Sequence, residues 1–169
     1  MIEECSLSFW YLKDGARGVG NSSFLDQPLT AFFASRQCPG AAIRAAMAWS
    51  VEQARIKNPV ISGFHSSLEQ SVLEVLLTAG SPCVIVMARK LEQAHFPPSW
   101  SLAVQNGMAT IVSMEDTTRR LTAGLAARRN DWVAEHAARI VVAHASAGGN
   151  LLRQATQWES KGQSVAHLT

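Results

Sequence analysis

Short apolar runs recur along this chain, and a helix-length segment separates most of them from the next. Residues 29–34, 59–62, 83–88, 109–113, 139–144 and 164–168 read as strands, about six in all. Between them, residues 41–56, 68–79, 101–106, 118–128, 131–137 and 151–158 read as helices, with a break expected near Asn130. An unbroken apolar strand needs cover on both faces, which helices packed on a parallel sheet supply. The alternation therefore predicts an α/β fold, a Rossmann-like parallel sheet that tolerates a mixed edge, with helices on both faces. This domain is placed at residues 29–169. Residues 1–28 read as an N-terminal lead segment, with a short strand or helical turn at 7–12. Gly15, Gly18 and Gly20, followed by Asn21, Ser22 and Ser23, read as loop.

A length of 169 residues suits one domain. Apolar residues make up 47% of the chain, enough for a core and too many for a disordered chain. The formal charge is only +2, so a polybasic surface is excluded as the main mode of binding. The basic residues are mostly Arg, whose forked guanidinium favours carboxylate and phosphate. Cys5, Cys38 and Cys83 show neither metal-ligand spacing nor a disulfide framework, and a reduced, cytoplasmic setting is expected. Glu3 and Glu4 stand where a signal peptide would be basic, and no run of about 18 apolar residues predicts a membrane span. Paired carboxylates, a nucleophile elbow and a His-based metal motif are all missing from the sequence. No catalytic residue, metal ligand or cofactor is therefore assigned.

Ligands of open α/β sheets bind beyond the carboxyl ends of strands, near the point where strand order reverses. Four segments fall at such ends: 35–36, 62–67, 88–96 and 145–150. Ser35 and Arg36 can clamp a phosphate with nearby backbone N–H groups; an ordinary surface Arg at a turn is the competing reading. Ser62 and Gly63 lead into Ser66 and Ser67, either of which can cap the next helix or offer a hydroxyl to an anion. Glu69 suits a capping box there. His65 has no partner visible in sequence and reads as a surface or structural residue. Gly148 and Gly149 can form an N–H nest for phosphate, or simply a tight turn. Arg119, Arg120, Arg128 and Arg129 form the densest basic patch, with Arg120 and Arg128 near one face if their helix is continuous. Such a patch can touch a nucleic-acid backbone. Composition favours a solvated face balanced by Glu115, Asp116, Asp131 and Glu135. Trp49, Trp132 and Trp158 are expected to pack helices on the sheet, with partners for their indole N–H groups.

Taken in order, these segments resemble the Rossmann-like core of the DNA-processing protein A family, from about residue 29 to 168. The family's Gly-Ser-Arg strand end reads Ala34-Ser35-Arg36 here. Its Ser-Gly and following acidic residue read Ser62-Gly63 and Glu69, though the Gly-rich loop between them is replaced by Phe64-His65-Ser66-Ser67. Its aromatic-Pro pair resembles Phe96-Pro97, and its Asn-Gly resembles Asn106-Gly107. Its Arg-Asn-Arg reads Arg129-Asn130-Asp131, with an acid in place of a base. Its Ser-Gly-Ser resembles Ala147-Gly148-Gly149-Asn150. The resemblance implies a non-catalytic protein that binds single-stranded DNA, forms a homodimer and meets a recombinase partner during DNA uptake. It implies Ser35, Arg36, Ser62, Gly63, Arg129, Asn130, Gly148 and Gly149 as site residues, to which the capping argument adds Ser66. The same superfamily implies an alternative, a nucleotide-binding module or sensor. A nucleoside-phosphate hydrolase is a further alternative, but Asn150-Leu151 follow Gly149 where that class carries its Thr and catalytic Glu.

Overall fold

The computed structural model describes residues 8–92, 94–117 and 120–169. Cys5, Leu7, Thr118 and Arg119 lie outside the described residues. The strands are β1 (Phe9–Tyr11), β2 (Arg17–Gly20), β3 (Thr30–Ala34), β4 (Val60–Ser62), β5 (Cys83–Met87), β6 (Ala109–Ser113), β7 (Arg139–His144) and β8 (Val165–His167). The helices are α1 (Gly40–Ile56), α2 (Ser67–Thr78), α3 (Pro98–Gln105), α4 (Ala123–Glu135) and α5 (Asn150–Ser160). A 3-10 helix covers Ser22–Asp26. The strands form one sheet in the order β1-β2-β6-β5-β4-β3-β7-β8. From β6 to β8 every pair is parallel. The fold is α/β and Rossmann-like, with an antiparallel edge at β1 and β2.

Side-chain alternation sorts the strands' residues onto two faces. Phe32, Val60, Cys83, Ile85, Ile111 and Val141 join one core with Ala46, Leu68, Val72, Leu76 and Val104 of α1, α2 and α3. Phe33, Ile61, Val84, Val86, Val112 and Val142 join the other with Trp132 and Val133 of α4 and Ala155 and Trp158 of α5. Both faces are covered, which is why the strand runs are apolar throughout. Trp49, Trp132 and Trp158 pack on the sheet as expected. Trp49 stacks on Phe32 at 5.0 Å. The Trp132 and Trp158 indoles donate to Asp14 Oδ2 at 2.9 Å and Asp131 Oδ1 at 3.0 Å.

Two local readings are corrected. Gly18 and Gly20 lie in β2, not in a loop; β2 pairs with β6, and β1 pairs with β2 at the edge of the sheet. A β-carbon on Gly18 would lie 2.4 Å from the Trp10 ring. These glycines admit a close neighbour rather than turn the chain. The helix around Asn130 does not break; α4 runs through it, but begins at Ala123 and so excludes Arg120. Arg120 and Arg128 therefore do not share a helical face. Among the described residues, no helix is long and apolar enough to cross a membrane.

Candidate nucleic-acid interface

Strand order reverses between β3 and β7, since β4 lies on one side of β3 and β7 on the other. The loops leaving these two strands are tied together. Ser35 N–H donates to His144 O at 2.9 Å, and Ser146 N–H donates to Ser35 Oγ at 2.9 Å. Outside them opens a cleft of about 580 Å³. It is lined by Ser35, Arg36, Ser66, Arg129, Asn130 and Gly149, together with His65, Gln154 and the first residues of α4 and α5. Six of the sequence-derived site residues thus meet in one place, from four separated segments of the chain.

Arg129 is the residue around which the cleft is built. It is only 7% exposed. Its Nε and Nη2 donate to Asn130 Oδ1, both at a long 3.3 Å. It makes no ion pair among the described residues, although Glu69 is close enough to favour its charge. Burial pulls its pKa below the ordinary value, and Glu69 offsets that only in part. Its side chain lies over Gly63, where an added β-carbon would stand 2.3 Å from Nε. Gly63 is needed for close approach of the guanidinium. The expectation of a solvated Arg face is therefore corrected at Arg129. Arg128 does face solvent and pairs with Glu115 at 2.9 Å.

Glu69 holds the loop that faces Arg129. Its Oε1 accepts from the N–H groups of His65 at 3.0 Å and Ser66 at 3.2 Å, while Ser66 Oγ accepts from Glu69 N–H at 3.3 Å. These bonds make a capping box. Oε2 reaches further and accepts from Ala34 N–H, at the end of β3, at 2.9 Å. One buried carboxylate therefore joins α2 to the strand that carries Ser35 and Arg36. Phe64 takes φ 47°, a left-handed conformation uncommon for a non-glycine residue, and is buried. That is where the resemblance placed a Gly-rich loop.

At the far wall, α5 is preceded by Gly149 at its N-cap, which offers no side-chain cap. Its leading N–H groups need partners, which makes the end receptive to an anion. Gly148 at φ 72° turns the chain into it. Gly148 is not among the residues that line the cleft. Ser62 does not reach a cleft either; it is fully buried, and its Oγ accepts from Phe64 N–H at 3.1 Å. Asp131, the acidic departure, is directed to α5, where its Oδ1 accepts from Trp158 and from Gln154 Nε2 at 3.1 Å. It does not line the cleft.

A second, wider cleft of about 870 Å³ shares the wall formed by His65, Leu121 and Arg129. It runs between α2 and α3, over Phe64, Leu73, Leu77, Met87 and Trp100, with Arg89 and Arg120 on its border. Sequence reasoning named Trp100 among five tryptophans able to stack bases, but did not single out Arg89 or Gln154. Arg89 carried a signal, since it stands in a flagged strand-end segment. Gln154 carried none, because it is one helical residue among many.

No family model matches the chain, and no curated protein matches it either. Solved structures do. DNA processing protein A from Helicobacter pylori, described for a single-stranded DNA binding mode, superposes with a TM-score of 0.75 at 15% identity, over 96% of this chain and 81% of that one. DNA processing protein A from Streptococcus pneumoniae gives 0.75 at 14% identity. The match covers 96% of this chain but only 63% of the pneumococcal one. The molybdenum cofactor carrier protein of Chlamydomonas reinhardtii is more distant, with a TM-score of 0.57 at 11% identity over 83% of this chain and 76% of that one.

Proposed function

From the likeness of its fold to the Rossmann-like core of DNA processing protein A, we propose that this chain is a binding module for single-stranded nucleic acid. The backbone phosphates occupy the cleft at the carboxyl ends of β3 and β7. The observation that carries this is Arg129, a buried guanidinium that no carboxylate pairs among the described residues. A charge in that position calls for an anionic partner, and a ligand phosphate supplies one. Ser35, Arg36, Asn130 and the uncapped start of α5 surround the same space. The single-stranded DNA binding of the H. pylori neighbour supports the choice of ligand. The test is a mobility-shift titration with single-stranded oligonucleotides at low salt. The reading requires a salt-sensitive complex that weakens in Arg36→Ala and Arg129→Ala. Absence of a complex with folded protein contradicts it.

A second reading, a mononucleotide as ligand, is favoured by the wider cleft. Its volume falls within the usual range of small-molecule sites, and its floor is apolar beside Arg129. A thermal-shift screen separates the two readings, because a specific nucleotide raises apparent stability by mass action. A nucleotide that stabilises the chain and competes with oligonucleotides would favour the smaller ligand.

A further inference from the structure

His65 stands on the wall common to the two clefts, in company that its sequence neighbours do not suggest. Its backbone is fixed, because its N–H donates to Glu69 Oε1 at 3.0 Å and its carbonyl accepts from Gln70 Nε2 at 2.8 Å. His65 is exposed overall, but its imidazole is partly covered at the cleft wall and has no hydrogen-bond partner among the described residues. The charged groups that face it come from three elements: Arg129 from α4, Arg36 from the segment after β3, and Glu69 from α2. Along the wider cleft, Arg89, Arg120 and Glu74 complete the set.

Resting on the nucleic-acid reading above, we infer that His65 is a third, protonatable contact of the phosphate site, so that binding takes up a proton on its imidazole. In the unliganded chain, burial and the charges of Arg129 and Arg36 push the imidazole pKa below its ordinary value, and Glu69 offsets this only in part. The ring is therefore mostly neutral near pH 7. A phosphate seated between the two guanidinium groups cancels their repulsion and adds a negative partner for the ring. Both effects favour the imidazolium. By linkage, a ligand that favours the protonated form binds that form more tightly. The proton comes from solvent, and no covalent step is involved.

The test measures oligothymidylate affinity from pH 8 to pH 5 for wild type, His65→Gln and His65→Asn. Thymine does not titrate in that range. The substitutions keep the backbone bonds to Glu69 and Gln70, and melting curves verify the fold. Wild-type affinity rises toward low pH, by about tenfold if binding raises the imidazole pKa by one unit. Both variants lose that rise while still binding. Parallel nuclear magnetic resonance titration of the ring places the change on His65 rather than on His95 or His144. A pH profile shared by wild type and variants, or an unshifted His65 on binding, overturns the inference and leaves nucleic-acid binding standing. No binding at any pH overturns both.

Discussion

The contact between Gly63 and Arg129 links two residues that are 66 positions apart, and it sets how far the guanidinium can lie into the cleft. Gly63→Ala puts a methyl group where the Arg129 side chain now lies. Overpacking of this kind costs about 1–3 kcal/mol. Chemical denaturation should show that loss together with weaker oligonucleotide binding. Unchanged binding would mean that the position of Arg129 is immaterial. Sequence order alone brought Ser35, Arg36, Asn130, Arg129 and Gly149 to one cleft, because strand ends in a parallel sheet converge. It did not show that Arg129 is buried. Four Arg in eleven residues look solvated, and only the fold separates Arg128, at the surface, from Arg129, beneath it. Ser62 was misread for a related reason: a hydroxyl at a strand end is as easily spent on the local turn, as it is here on Phe64 N–H.

At the scale of elements, Glu69 is the joint between α2 and β3. Glu69→Ala leaves the Ser66 cap in place but removes the side-chain half of the capping box, a hydrogen-bonding contribution of about 1 kcal/mol. It also strands the buried Ala34 N–H, at a further cost of about 1–3 kcal/mol. Hydrogen exchange should accelerate at Ala34 and at the first turn of α2 together. If only α2 responds, the carboxylate does not join them. The capping box was legible in the local spacing of Ser66 and Glu69, whereas the bond to Ala34 spans 35 positions and was not. The hairpin of β1 and β2 was legible still less, because its glycines mimic a loop. Its anchor is Arg17, buried and paired with Glu92 in the segment after β5. The hydrogen bond from Arg17 holds the Glu92 carboxyl below its ordinary value of 4.5. A depressed carboxyl stabilises the fold above that value, and the contribution is lost as pH falls through the lower value held in the fold. Melting curves from pH 7 to pH 3 should therefore drop less below pH 4.5 in Glu92→Gln than in wild type. Parallel curves would rule the pair out as an acid-sensitive tie.

For the molecule as a whole, a formal charge of +2 does not suit a protein that coats nucleic acid. The fold resolves this by concentration. Arg36, Arg89, Arg120 and Arg129 all border the two adjoining clefts, while Asp131 faces α5 and Glu115 is occupied by Arg128. On the proposed function, binding depends on a few guanidinium groups and loop N–H groups rather than on a broad field. Counterion release makes this quantitative, since each phosphate neutralised on a single strand adds about −0.7 to the slope of log affinity against log salt. The most direct measurement is that slope for wild type and for Arg129→Ala, by fluorescence anisotropy on one oligonucleotide. Four contacts predict a wild-type slope of about −3, made shallower by about 0.7 in the variant, with affinity reduced alike for every sequence. Equal slopes and equal affinities in the two proteins would contradict the central place given to Arg129.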